Sequence, residues 1–403
     1  MFHSYSKALF FLVIIGIAFT SLGAKNTYQP ELQPYIDFLK TTKVSAKDYI
    51  LNLFKNHDLV ILCERDHRDI TQYQLILDVI GDPRFAKTVG NVFTEIGVST
   101  LRPGVKEFLH TEGLPADSEQ RKVLEFHRNA SFYPLWEKRS YSFFLEKLYE
   151  LNQRLPEDEK VDLYPSDMPF DWSGMDEVQY KKFWDSLPQR DSIMSAQIID
   201  NFDRIIGSNA KRKKALVIMN YRHAFGHKFE YPLGKKPNNV GRFLFDKYGE
   251  KVANVYINFV AFAAVRSDND ITLAAIQDGK WDAAFKATGI ENRGFDFEGS
   301  PFGEDSFDIW PFESPFKYQD VFTGFVFYLP LTKFRCSVGV PGIIDSTFEP
   351  EMFRRQSVYS RVSGQTSAAN TSIQQLKDDY NFPRESPLDN LDSLTVQIDK
   401  WLK

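Results

Sequence analysis

The chain has 403 residues, with 43% hydrophobic and 26% charged side chains and a formal net charge of −5. That balance excludes a disordered polymer and a polytopic membrane protein, and two cysteines exclude a disulfide-stapled mini-domain. The mild acidity removes nucleic acid as the default partner. Aromatic residues are in excess, with Phe 36, Tyr 18 and Trp 6 giving 15% of the chain. Such an excess implies a large core, an aromatic-lined pocket, or both.

Residues 1–24 read as a secretory signal peptide. Lys7 is the only charge, residues 8–22 are almost unbroken apolar sequence, and small residues follow. Cleavage is expected after Gly23 or Ala24, leaving residues 25–403 as one α/β unit. The apolar run is shorter than the roughly 20 residues that span a bilayer, so no integral membrane domain is expected after cleavage. No cysteine follows the run, which argues against a lipoprotein. The expected location is secreted or periplasmic. In such a compartment Cys63 and Cys336 could pair, although Cys63 ends a strand-like run where a buried free thiol is an equal alternative.

From residue 58 onward, strand and helix patterns alternate. Residues 59–63 are short, apolar and β-prone. Residues 70–80 carry Ile70, Tyr73, Leu77 and Ile80 at helical spacing, and Gly81-Asp82-Pro83 stops that helix. Residues 92–95 and 161–164 read as buried strands. A helical insertion at residues 100–160 is either a lid or extra core. Residues 190–206 form an amphipathic helix, with Ile193, Ala196, Ile199, Phe202 and Ile206 on one stripe. Residues 215–219 are a strand, preceded by the basic run Lys211-Arg212-Lys213-Lys214, expected as a solvated helix end. Residues 240–248 read as helix and 252–259 as strand.

Short buried runs alternating with helices imply a mostly parallel sheet covered on both faces. The core is expected at about 50–265, with an irregular C-terminal elaboration at 266–403. There, residues 295–320 read as loop, 321–329 as strand, 361–372 as a polar loop and 387–402 as a closing helix.

Sites on parallel sheets form at the carboxyl ends of strands. Glu64 and His67 follow the first strand, Glu95 the second, Asp167 the third, and Asn220, Arg222 and His223 the fourth. These ends converge, so two glutamates and two histidines are expected in one cleft. A neutral His can take a proton from water while a carboxylate orients the ring. The same residue types suit a divalent metal. There is no Gly-x-Ser-x-Gly elbow, no phosphate-binding Gly-Lys loop and no His-Glu-x-x-His.

The runs Val60-Ile61-Leu62-Cys63-Glu64-Arg65-Asp66-His67, Val92-Phe93-Thr94-Glu95-Ile96-Gly97, Tyr133-Pro134-Leu135-Trp136, Leu163 to Asp167, Arg190-Asp191-Ser192-Ile193-Met194 and Met219 to His223 follow one another in order. Together they resemble the motifs of the erythromycin esterase-like family. The resemblance covers about residues 50–265. It implies an α/β fold related to haem-binding and Tiki/TraB-type proteins, and ester hydrolysis by activated water without a covalent serine intermediate. On that model His67 is general base, Glu64 and Glu95 orient it or the water, and His223 polarises the carbonyl or protonates the leaving group. Arg68, Asp167, Asn220 and Arg222 are expected to bind substrate. Cys63 and Arg68 stand where the family usually has Gly. The family's arginine on the following helix has no counterpart in residues 70–80, which leaves Arg65, Arg68 or Arg222 to replace it.

The leading expectation is therefore a hydrolase of a small apolar substrate that needs no cofactor. A metal-dependent hydrolase or peptidase is one alternative. A non-enzymatic binder of an apolar ligand or haem is the other. Two aromatic-rich segments, residues 126–184 and 295–328, hold 14 and 12 of the 60 aromatics and are expected either to wall the cleft or to pack as ordinary core.

Overall fold

The computed structural model describes residues 28–226, 238–264, 271–309, 316–365 and 372–403. The expected signal peptide, His227, and residues 366–371 of the expected polar loop at 361–372 lie outside these residues. Eleven strands occur in them: β1 (Leu59–Glu64), β2 (Asn91–Val98), β3 (Asp162–Asp167), β4 (Ala215–Asn220), β5 (Val252–Ile257), β6 (Val260–Ala264), β7 (Ile271–Ala275), β8 (Arg293–Asp296), β9 (Gly324–Phe327), β10 (Cys336–Val338) and β11 (Arg384–Ser386).

Seven strands form one sheet in the order β3-β2-β4-β1-β5-β9-β8, all parallel except the edge strand β8. β6 with β7, and β10 with β11, make separate antiparallel pairs. The α/β expectation with a mostly parallel sheet holds. β1 and β2 are buried along their whole length, as strands covered on both faces must be. Alternate residues serve opposite layers. Leu59, Ile61 and Cys63 join one core with helices Gln33–Thr41, Arg190–Gly207 and Val240–Tyr248. Val60 and Leu62 join the other with helices Ile70–Ile80, Arg102–His110 and Ser140–Asn152.

The strand order matters for function. β3, β2, β4 and β1 are neighbours in space although far apart in sequence, and Glu64 is in register with Asn220. Asp167, Glu95, Asn220 and Glu64 thus stand along one end of the sheet. The β2–β3 pairing is irregular between Thr94 and Val98. Gly97 sits there at φ 104°, and a Cβ would lie 2.9 Å from both Pro165 Cβ and the Tyr141 hydroxyl. Only glycine fits that turn beside Glu95.

The structure decides between some open alternatives and corrects other expectations. The helical insertion is core: its helices pack on the sheet through Val105, Phe126, Phe144 and Leu148. Only its connecting loop reaches the cleft. Helix Arg190–Gly207 ends before the basic run, so residues 211–214 are loop. Arg212 turns inward and donates to the carbonyls of Ala86, Glu159 and Lys160. Lys213 alone serves the helix end, donating to the Ile206 carbonyl at 2.9 Å. Residues 295–320 are not all loop, since they carry the end of β8 and two short helices. A helix at Glu349–Ser363 precedes the expected polar loop and runs into its start. Cys63 and Cys336 are both buried free thiols.

Candidate active site

β1 ends at Glu64 and the chain turns at once into helix Ile70–Ile80. Asp69 caps that helix, accepting from the Thr71 amide at 2.9 Å. Gln72 ties the turn from inside: its Oε1 accepts from the Arg65 amide at 2.7 Å and its Nε2 donates to the Asp66 carbonyl at 2.8 Å. The turn fixes His67 above the strand end, where Nδ1–H donates to Glu64 Oε2 at 2.9 Å. The other Glu64 oxygen accepts from the Tyr73 hydroxyl at 2.7 Å. Burial and the Glu64 charge keep that phenol protonated, so it remains a donor. Glu64 therefore orients His67 and is itself held from the helix.

The other ring nitrogen of His67 lies 3.8 Å from Glu95 Oε1. This is too long for a hydrogen bond, and a water seated beside the pair on the cavity side can reach both atoms. Burial alone would push the His67 pKa down, but the Glu64 and Glu95 carboxylates reverse that and hold it above its ordinary value. Trp136 packs against the ring with centroids 5.3 Å apart, and Ser140 donates to the His67 carbonyl at 2.6 Å.

Glu95 is the hub. Its Oε2 accepts from the Asn220 amide at 2.7 Å. Its Oε1 faces Nη2 of Arg190 at 3.1 Å and Nε2 of His223 at 3.4 Å. Burial opposes ionisation here, but the charges of His223, His67 and Arg190 hold the carboxyl well below its usual range. Arg190 opens helix Arg190–Gly207, where a cation opposes the helix dipole. Two carboxylates offset that cost. Asp167 accepts from Nε at 2.8 Å and from Nη2 at 2.9 Å, and Glu95 completes the set.

His223 gives Nδ1–H to Asp191 at about 3 Å. Its Nε2 also lies 3.3 Å from Nη1 of Arg190. A protonated Nε2 points its hydrogen at Glu95, and a neutral ring turns a lone pair to Arg190. Burial disfavours the charged ring, yet Glu95 and Asp191 outweigh it and push the pKa up to about 10. At neutral pH His223 is thus a proton donor, with Arg190 placed to receive the neutral ring.

These groups line a cavity of about 720 Å³. Glu95, His67, Asp167, Asn220, Arg222 and His223 all face it, and Glu64 stands behind His67. Asp167 and Asn220 have their polar atoms committed to Arg190, Arg65 and Arg222. Arg68 does not line the cavity. The turn at Asp66 swings its guanidinium outward onto Asp66 and Asp389 at 2.6 and 2.8 Å. Arg65 does not supply the missing arginine either. It is buried against Asp69 at 2.5 Å and over the Phe334 ring. The guanidinium bound to Asp167 and Glu95 is that of Arg190, while Arg222 also lines the cavity. Phe132, Tyr133 and Trp136 from the insertion and Tyr359 and Tyr380 from the C-terminal region form the aromatic wall. No described residue of 295–328 reaches it. Those rings pack on one another and on Trp281 and Phe285 in the core beside β5 and β9.

The fold is similar to that of an erythromycin esterase. A His-to-Asn mutant of EreC in its open conformation matches at 12% identity and a TM-score of 0.46, over 75% of this chain and 96% of that one. A Bacillus cereus protein matches at 12% identity and 0.42, over 74% and 97%. A succinoglycan biosynthesis protein matches at 10% identity and 0.41, over 69% and 88%. No family model and no curated protein matches the chain. At this identity the likeness is one of chain path, and the side-chain chemistry rests on the geometry above.

Glu64, His67 and Glu95 also bring one ligand atom each within 4.8 Å of one another, a spacing a divalent cation can bridge. In the arrangement described, Arg190 and the two histidines already balance Glu95, and Tyr73 and His67 satisfy Glu64. The remaining described histidines have structural partners. His57 contacts the Glu250 carbonyl, and His110 contacts Glu157 and Asp162. His127 is buried on the Trp136 carbonyl with its pKa pushed down to about 4 by burial. Among the described residues no helix is long and apolar enough to cross a membrane.

Proposed function

We propose that the chain hydrolyses an ester or related acyl bond by attack of water that His67 activates. The observation that carries this reading is the Glu64–His67 pair, with the free ring nitrogen aimed across 3.8 Å at Glu95 inside the cavity. A water bound beside the pair, within reach of both, loses a proton to Nε2 of His67 as its oxygen bonds to the acyl carbon. The carbonyl electrons move onto oxygen beside the positive edge made by His223 and Arg190. On collapse the acyl–oxygen bond breaks, and the leaving alkoxide takes a proton from an imidazolium, that of His67 or His223. An acid and an alcohol leave, and no covalent enzyme intermediate forms. The aromatic wall of Phe132, Tyr133, Trp136 and Tyr359 receives the apolar body of a small substrate. The motif resemblance to erythromycin esterase-like proteins points to the same reaction class. The working location is proposed as secreted or periplasmic, after loss of residues 1–24.

The clustered ligand atoms of Glu64, His67 and Glu95 favour a metal-dependent hydrolase as the second reading. One experiment separates the two. Protein dialysed against EDTA is offered a panel of aryl and alkyl esters. Hydrolysis by the metal-free protein is expected. Activity lost on chelation and restored by one divalent cation assigns these residues to a metal. Hydrolysis of no member of the panel by either form overturns the proposal.

A further inference from the structure

The aromatic wall of the cleft carries a chemistry that proton transfer at His67 does not use. Buried donors pin the loop that bears it. Trp172 Nε1 donates to the Ser131 and Tyr133 carbonyls at 3.2 Å, and the Tyr180 hydroxyl donates to the Phe132 carbonyl at 3.0 Å. Phe132 backs Tyr133 with ring centroids 4.7 Å apart. Tyr133 is thus a fixed platform, yet 38% of it stays exposed. Tyr359, from helix Glu349–Ser363, meets it edge-on at 5.9 Å and 71°, which makes an aromatic corner.

Uncharged polar groups accompany that corner. Gln356 lies three residues before Tyr359 on the same helix face, and both line the cleft. The Gln356 amide and the hydroxyls of Tyr133 and Tyr380 have no hydrogen-bond partner among the described residues, and all three remain open to the cleft. The Tyr359 hydroxyl donates to Oε1 of Gln365 at 3.2 Å, which leaves the amide hydrogens of Gln365 without an acceptor among the described residues. The charges on this wall are closed on each other: Glu137 pairs with Lys138, and Lys138 covers the Trp136 ring. A hydrocarbon here would cover the rings but strand the amide and the hydroxyls, each at a desolvation cost. A pyranose satisfies both. Its axial C–H groups carry partial positive charge and pack on the negative face of an aromatic ring, while its hydroxyls donate to and accept from amides and phenols.

We propose that the cleft binds a neutral sugar, with its ring on Tyr133 and Tyr359 and its hydroxyls on Gln356, and that the ester cleaved beside His67 is an acyl group on that sugar. The C–H face of the ring is the apolar body that the wall receives. The reaction rests on the hydrolase reading above, whereas the sugar rests on the wall alone. Trp136 joins the two, because it shares a loop with Tyr133 and packs on the His67 ring at 5.3 Å. Water adds its oxygen to the acyl carbon and gives a proton to His67. The bond from the acyl carbon to the sugar oxygen then breaks, and that oxygen takes a proton from the imidazolium. A carboxylic acid and the unacylated sugar leave.

The test has a binding arm and a hydrolysis arm. Binding of the methyl pyranosides of glucose, galactose and mannose to the whole chain is followed by ligand-observed NMR, with cyclohexanol as an apolar ring of similar size. At least one glycoside binds saturably, and about tenfold or more tighter than cyclohexanol, because a site built for hydroxyls rejects a ring without them. Gln356→Leu weakens that glycoside about tenfold, the loss of two hydrogen bonds, and tightens cyclohexanol. Tyr133→Phe, which removes only a hydroxyl, weakens the glycoside about threefold. In the second arm, monoacetates of the same glycosides are compared with cyclohexyl acetate. The best sugar ester has the higher kcat/KM by about tenfold or more, and Gln356→Leu cuts that ratio about tenfold through KM rather than kcat. Absence of saturable glycoside binding overturns the proposal, as does cyclohexanol binding as tightly as the best glycoside, or a glycoside affinity that neither variant changes. The two readings fail separately. Hydrolysis of cyclohexyl acetate without glycoside binding removes the sugar and keeps the hydrolase. Glycoside binding that Gln356→Leu weakens, with no ester cleaved, keeps the sugar site and removes the hydrolysis.

Discussion

Glu64 accepts the Nδ1 proton of His67 at 2.9 Å and in turn accepts the Tyr73 hydroxyl at 2.7 Å. This chain of donors fixes the tautomer of His67 and leaves its lone pair facing the cleft. Tyr73→Phe removes one donor from a buried carboxylate without changing volume. The loss of about 1–3 kcal/mol of orientation should lower kcat about tenfold or more with KM nearly unchanged. Steady-state kinetics on the best ester of the panel checks this, and an unchanged kcat contradicts it.

Arg190 joins Asp167, Glu95 and His223, three groups from three different strand ends. Arg190→Met leaves two buried carboxylates without their shared cation and should cost about 3 kcal/mol of stability in a urea melt. Arg190→Lys restores charge but cannot grip Asp167 along one edge while reaching Glu95, so it should recover only part of that loss.

The raised pKa values set a pH window. His67 must be neutral to accept a proton, and its pKa lies above the ordinary 6.5. His223 must hold its proton, and it does so up to about 10. The rate should therefore rise with pH through an acid limb above 6.5 and fall near 10. His223→Gln should lose the alkaline limb. A rate profile flat from pH 6 to 10 contradicts the assignment.

Stability follows the same proton. An unfolded His titrates near 6.5, whereas folded His223 holds its proton to about 10. The stabilisation is complete below pH 6.5, weakens as the unfolded state sheds its proton above that, and is gone beyond the folded pKa. The melting temperature should fall across this window, and fall less in His223→Gln. Parallel melts of the two proteins from pH 6 to 10.5 decide it.

Cys63 and Cys336 are buried and unpaired, and burial raises both thiol pKa values, that of Cys336 to about 12. Two free thiols should titrate in denatured, unreduced protein and almost none in the native state. Dithiothreitol should leave the melting temperature unchanged. A shift on reduction would reveal a bridge.

The residues legible in the sequence were those placed by strand ends. Glu64, Glu95, Asp167 and Asn220 follow short buried runs, and a parallel sheet brings such ends to one side. The residues that escaped reading come from helices that fold back over that side. Tyr73 and Gln72 read as ordinary members of an amphipathic helix, and nothing local says that they face Glu64. Arg190 and Asp191 stood in a motif, and a cation at a helix start was a signal that carboxylates must lie nearby. Arg68 was misplaced because its partner, Asp389, comes from far along the chain. Most of the described aromatics of 295–328 were misread because β9 and β8 extend the sheet and the rings pack into the core beside them. Composition alone could not separate wall from core.

The most direct test of the account is the hydrolysis rate of His67→Ala beside wild type, on any ester that the wild type cleaves. Loss of the orienting pair and the base should reduce kcat by at least a hundredfold, with folding intact by circular dichroism. A folded His67→Ala protein that retains the full wild-type rate would contradict the mechanism at its centre.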